Sequence, residues 1–163
     1  MTDDPRPVAY LRRLDRVEDR LRTHASAPPS AGLTDPDPGA SERWEAGQVW
    51  AHLAEFVPYW HAQIQKVLAQ PPGEPVPFGR TKGSPERIAA IERDRRTAPQ
   101  ELLGRVRAGI AELRATLEGL PAESWSSLGL HPTVGEMPLP RILDWFEVGH
   151  LEEHADQLDG LAS

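Results

Sequence analysis

No cysteine occurs anywhere in the 163 residues. Disulfides are excluded, and so are a thiolate metal ligand or a cysteine nucleophile supplied by the chain itself; the expected compartment is the cytoplasm. Lysine is almost missing, standing only at 66 and 82, so arginine carries nearly all the positive charge. That charge is outnumbered, 25 acidic residues to 18 basic, for a net charge of -7. A duplex-binding surface is normally basic, so no nucleic-acid partner is expected. Uninterrupted apolar runs are also lacking. None approaches the ~20 residues of a membrane span, and the opening MTDDPRPVAYLRRLDR has no apolar h-region of a secretory signal. Neither internal repeats nor low-complexity tracts are found. No segment alternates with period two, so no sheet is expected.

What remains is an ordinary globular composition, 39% hydrophobic and 26% charged, in a length that suits one domain spanning 1–163. Helical periodicity dominates. A first segment, from about Val8 to His24, repeats Val8, Leu11, Leu14, Val17 and Leu21 at intervals of three or four. Its arginines are interspersed with Asp15, Glu18 and Asp19, a solvated mixed-charge face. The proline-rich stretch SAPPSAGLTDPDPGA ends it. A second segment, from about Glu45 to Gln70, places Val49, His52, Phe56 and Tyr59 on one face. Pro58 inside it removes a hydrogen bond to Ala54 and predicts a kink. A short helix follows, with Ser84 as N-cap and Pro85 at its first position. The third long helix is expected near Thr97, where T-A-P-Q has capping-box spacing, and carries Leu103, Val106, Ile110, Leu113, Leu117 and Leu120. A fourth begins near Pro138 to Pro140 and ends near Gly160. The link of roughly 27 residues between the second and third long helices can cross a whole bundle, letting those two run parallel.

Six histidines stand in the chain. His150 and His154, four apart, share one face of the fourth helix. On a helical wheel Leu143, Phe146, His154 and Gln157 fall within about 40° of His150, so the pair is expected on the inward stripe. Two buried imidazoles need partners, and a metal ion satisfies both. The alternative is a pair of core histidines bonded to carboxylates such as Glu55 or Glu147. His52, between Val49 and Phe56 on an apolar face, is the natural third ligand. His61 lies half a turn out of phase with it. His24 reads as a cation at a helix C-terminus and His131 as a turn residue. HLEEH matches the H-x-x-E-H of inverted zinc proteases, but those need a distant downstream glutamate and only nine residues follow His154.

Two stretches carry a family resemblance: WEAGQVWAHLAEF from Trp44 to Phe56, and HPTVGEMPLPRILDWFEVGHLEEHADQL from His131 to Leu158. They resemble the DinB/YfiT-like superfamily of metal-dependent four-helix bundles. Pro138 and Pro140 depart from the threonine and glutamate with which that family often opens its last helix. The resemblance implies an all-α, up-down-down-up bundle, usually a homodimer, with a metal on His52, His150 and His154. It also implies a small-molecule substrate. Characterised relatives include thiol S-transferases that use bacillithiol or mycothiol, and thiol-dependent isomerases.

Three neutral imidazoles leave the +2 charge of an ion intact and a coordination position open, as in catalytic rather than structural sites. Zinc or nickel is expected, with iron and cobalt also suited to imidazole. Glu55 and Glu147, each one turn from a site histidine, are candidates for general base or for partners of the imidazole N–H. The expected reaction is transfer of a low-molecular-weight thiol, the cosubstrate, to an electrophile through a metal-bound thiolate. A hydrolase using metal-bound hydroxide and a non-catalytic metal-binding or sensing module are the alternatives.

Overall fold

Asp4 opens the first helix: its carboxylate accepts the backbone N–H of Arg6 at 3.0 Å, and Pro5 takes a position where no N–H is needed. In the computed structural model, which describes residues 4–36 and 42–162, this helix, α1, runs Pro5–Ser26. Residues 37–41 of the proline-rich link lie outside the described residues. Leu14, Val17 and Leu21 are buried as expected, but Val8 is 49% exposed and Tyr10 enters the core instead. The reason lies in the neighbours. Tyr10 stacks on Trp125 and donates its hydroxyl to the Pro140 carbonyl at 3.1 Å, which Val8 has no means of doing.

The second helix, α2, spans Ala46–Leu68 and continues through Pro58. It is buried on several sides, from Val49 to Val67, because it lies against three other helices. A short helix, α3 (Pro85–Asp94), starts at Ser84 and Pro85 as expected, though the Ser84 hydroxyl donates to Glu86 and not to the backbone. The next helix, α4, covers Pro99–Glu118. No capping box forms at Thr97: Ala98 is the cap, and the Thr97 N–H instead closes the end of α3 on the Asp94 carbonyl. The seam from Leu103 to Leu117 is buried.

Side-chain pairs fix the helix directions. Arg107 meets Glu18 and Arg114 meets Asp15, so α1 and α4 are antiparallel. A Cβ on Gly109 would touch Val57, and His61 meets Thr116 four residues after Glu112, so α2 and α4 are parallel. The chain therefore closes up-down-down-up, as expected, with the long link crossing the bundle.

The expectation of no sheet is corrected. A three-stranded sheet of β1 (Val76–Pro77), β2 (Leu128–His131) and β3 (Gly135–Pro138) sits at one end, β1 parallel and β3 antiparallel to β2. Its strands are too short to alternate visibly, and one inward position is Gly129. A Cβ there would lie 2.5 Å from the Phe78 ring, so the site that would signal an apolar period holds no side chain.

The fourth long helix is broken in two. Pro138 caps α5 (Leu139–Ile142), a π turn follows over Leu143–Glu147, and α6 runs Val148–Ala162. In the π turn the Val148 N–H reaches back five residues to the Leu143 carbonyl. Gly149 makes room for it, since a Cβ would stand 1.7 Å from the Asp144 oxygen. Arg13 pairs with Glu152 and Arg20 with Asp156, which docks α6 parallel to α1. No described helix is long and apolar enough to cross a membrane.

Candidate metal centre

His52 projects from the middle of α2 and is 2% exposed. His150 and His154 project from α6 one turn apart. Ligand atoms of the three lie within 4.8 Å of one another, and Nε2 of His52 stands 3.3 Å from Nε2 of His150. The ring centroids are 4.6 to 5.1 Å apart. Phe56 stacks on His150 at 4.1 Å, and Trp44 lies flat along His154 at 6.1 Å. Trp44 is held there by a reciprocal clamp: its N–H donates to the Thr34 hydroxyl at 3.0 Å, and its carbonyl accepts the Thr34 N–H at 2.8 Å.

The other ring nitrogens decide what this cluster can do. Nδ1 of His52 faces Glu55 Oε1 at 2.9 Å, Nδ1 of His154 faces Gln157 Oε1 at 2.7 Å, and Nδ1 of His150 faces the Phe146 carbonyl at 3.3 Å. Each of these oxygens accepts, so the hydrogen-bond network assigns the proton to every Nδ1. The Nε2 atoms then present lone pairs toward a common space. Two lone-pair nitrogens 3.3 Å apart repel unless a cation lies between them. The donor set thus fits a divalent ion with borderline-soft preferences. Burial, foremost, and then the neighbouring imidazoles and the positive charges of Arg87 and Arg80 push the His52 pKa well below its ordinary value. Burial does the same to His150, with His154 next in weight. Both rings are therefore neutral near pH 7, the form that binds metal.

Glu55 is itself held. Arg80 donates to both its oxygens at 2.6 Å, while burial outweighs that pull and raises the carboxyl pKa. Glu147 differs. It is fully buried, and neither oxygen has a hydrogen-bond partner among the described residues. Burial alone raises its pKa well above the ordinary value. It bonds to none of the three imidazoles.

The expected single stripe of Leu143, Phe146, His150, His154 and Gln157 is corrected. Leu143 is buried in the core, whereas the other four line a cavity of about 990 Å3. The extra residue of the π turn separates the two faces. Tyr59, on the sequence face of His52, does not line the cavity; the Arg80 guanidinium sits 3.8 Å over its ring. His131, read as a turn residue, ends β2 just before the turn, is 5% exposed and lines the cavity. His61 points away from the cluster to Thr116 at 2.9 Å, and His24 meets Asp159 at 2.6 Å, both in keeping with the sequence. Arg80, Trp44 and Trp60 were not anticipated at the site. Arg80 stands in an irregular loop with no periodicity to assign it a face.

The sequence pattern of the DinB superfamily matches residues 13–158. Among solved structures the chain is similar to YfiT from Bacillus subtilis, described as a probable metal-dependent hydrolase with an unusual four-helix bundle topology. The identity is 22% and the TM-score 0.74, over 99% of this chain and 89% of that one. An uncharacterised protein from Clostridium difficile 630 matches at 8% identity and a TM-score of 0.61, covering 99% and 97%. Among curated proteins none matches this sequence.

Proposed function

The chain belongs to the DinB superfamily, and from that premise we propose that it is an enzyme that holds a divalent metal ion on His52, His150 and His154 and transfers a low-molecular-weight thiol to an electrophilic small molecule. The observation that carries this reading is the convergence of three imidazoles on the wall of a cavity of about 990 Å3. A divalent ion on an uncharged donor set keeps its full charge and favours the anionic form of a thiol or of water at neutral pH.

The residues divide the work. Glu55, Gln157 and the Phe146 carbonyl hold the Nδ1 protons, so each ring offers Nε2 in a set orientation. Trp44, Trp60 and Phe146 form an aromatic wall that excludes water and receives an apolar part of the electrophile. The attacking sulfur comes from a cosubstrate of the bacillithiol or mycothiol class, since the chain has no cysteine. Glu55 positions His52. Glu147 is assigned no proton transfer, because its oxygens meet neither cavity nor imidazole. Zinc or nickel suits the site best, and the homodimer implied by the family completes the proposal.

A second reading, a metal-dependent hydrolase, draws on the description of YfiT. Metal-loaded protein assayed on a generic electrophile, with and without added thiols, separates the two. Turnover that requires thiol, and rises with pH as the thiolate fraction grows, is the expected result. Ester cleavage unaffected by thiol would establish the hydrolase, and no turnover with either would leave a metal-binding module.

A further inference from the structure

Arg80 reaches the metal centre from a segment, 78–81, that is neither helix nor strand. Something else must place its guanidinium on Glu55: the Tyr59 ring lies 3.8 Å beneath it, and two contacts hold the backbone. The Gly79 N–H donates to Gln63 Oε1 on α2 at 2.8 Å. On the other side the Arg80 carbonyl lies 3.2 Å from Nε2 of His131. The direction of that second bond is settled by the far side of the ring. Nδ1 of His131 stands 3.2 Å from the Thr133 N–H and 3.3 Å from the Val134 N–H. Both are backbone donors, so Nδ1 carries the lone pair and Nε2 the proton. The ring is also trapped. It stacks on Phe146 at 4.8 Å and 16°. On its edge lies Gly79, at φ +89°, where a Cβ would come within 2.6 Å of Cδ2.

We infer that His131 is a positioning residue for the metal centre: its Nε2–H anchors the Arg80 backbone, the Arg80 guanidinium anchors Glu55, and Glu55 orients His52. The inference rests on the proposal that the three histidines hold an ion. It gives a buried histidine outside the ligand set a part in the site, through four residues drawn from α2, the 78–81 segment and β2. A bland role is also available to His131, that of capping the hairpin turn at 132–134. The two roles belong to different nitrogens, which makes them separable. Asparagine carries an acceptor at the distance of Nδ1 and preserves the turn cap, but falls short of the Arg80 carbonyl. Glutamine carries a donor at the distance of Nε2 and preserves the bond to Arg80, but loses the cap.

The test is a Co2+ titration, read by its visible absorption and by competition with a chelator, on the full chain and on H131N, H131Q, R80A and R80A/H131N. Thermal melts establish that each protein is folded. H131N should bind Co2+ about tenfold more weakly, the lower end of the loss seen when an outer partner of a ligating histidine is removed. H131Q should stay within about threefold of the parent. R80A should lose at least as much as H131N, and H131N should cost nothing more in the R80A background, because both substitutions cut one chain of contacts. The opposite ranking, with H131Q weaker than H131N, would assign His131 to the turn alone and overturn the inference. So would an undiminished loss in the R80A background. If H131N does not fold, H131Q decides by the same threefold limit. Failure of the parent protein itself to bind Co2+ would overturn the three-histidine reading and this inference with it; binding by the parent with H131N unchanged would overturn the inference alone.

Discussion

Two glutamates each stand three residues from a site histidine, and they meet opposite fates. Glu55 follows His52 on α2, an unbroken helix, and its carboxylate reaches Nδ1 at 2.9 Å. Glu147 precedes His150, but the pair straddles the join between the π turn and α6. There the carboxyl turns into the core and finds no hydrogen-bond partner among the described residues. In a regular helix, positions three apart share a face. A single i+5 hydrogen bond is enough to rotate what lies on either side of it, so the same sequence spacing yields a bonded carboxylate on one helix and a buried neutral acid on the other.

The comparison is broken most severely at the ligands. His150→Ala should lower metal affinity at least a hundredfold in an equilibrium titration while far-UV circular dichroism stays nearly unchanged, because the apolar seam does not depend on the ion. Loss of the helical signal would make the ion structural. The next largest effect is expected at the π turn. Gly149→Ala puts a Cβ where the Asp144 oxygen lies. It should cost about 1–3 kcal/mol in denaturant unfolding, the range for forced overpacking, and weaken metal binding as well, since relief requires α6 to rotate. A variant of parental stability and affinity would show that the turn has no hold on the site.

The two carboxylates give the finest test. Glu55→Gln should weaken metal binding by about tenfold, whereas Glu147→Gln should leave it within about twofold. The second substitution acts on stability instead. The raised pKa of Glu147 means that its favourable protonated state is fully present below the unfolded carboxyl pKa and is lost as pH rises toward the folded value. The melting temperature of Glu147→Gln relative to the parent should therefore climb between pH 5 and pH 8. A difference independent of pH would mean that Glu147 is not neutral in the fold.

The long helices were legible because fifteen or more residues of periodic apolar pattern leave little choice of face, as Leu103, Val106, Ile110 and Leu113 illustrate. The cluster of His52, His150 and His154 was legible for a related reason: one pair at helical spacing and one phased partner. The π turn left no such mark. Its only trace is Gly149, and a glycine in a helix has many explanations. The sheet hid behind Gly129 and Pro138, positions where strand propensity is poorest. Arg80 and His131 reach the site through backbone that has no repeat, so their roles depend on which loop segments pack together, and that is a tertiary fact.

His52 and His150 lie 98 residues apart in the chain. Bringing such distant points together carries a loop-closure entropy that a small metallo-domain with neighbouring ligands hardly faces, and in this protein burial of the apolar seam meets it. On the proposed three-histidine reading, the imidazoles are preorganised by hydrophobic burial, and little of an ion's binding energy would be diverted into ordering the chain. Away from the π turn, metal affinity and fold stability would then be separately adjustable: substitutions at the imidazoles would change which ion is preferred without endangering the bundle, and an ion would exchange without refolding.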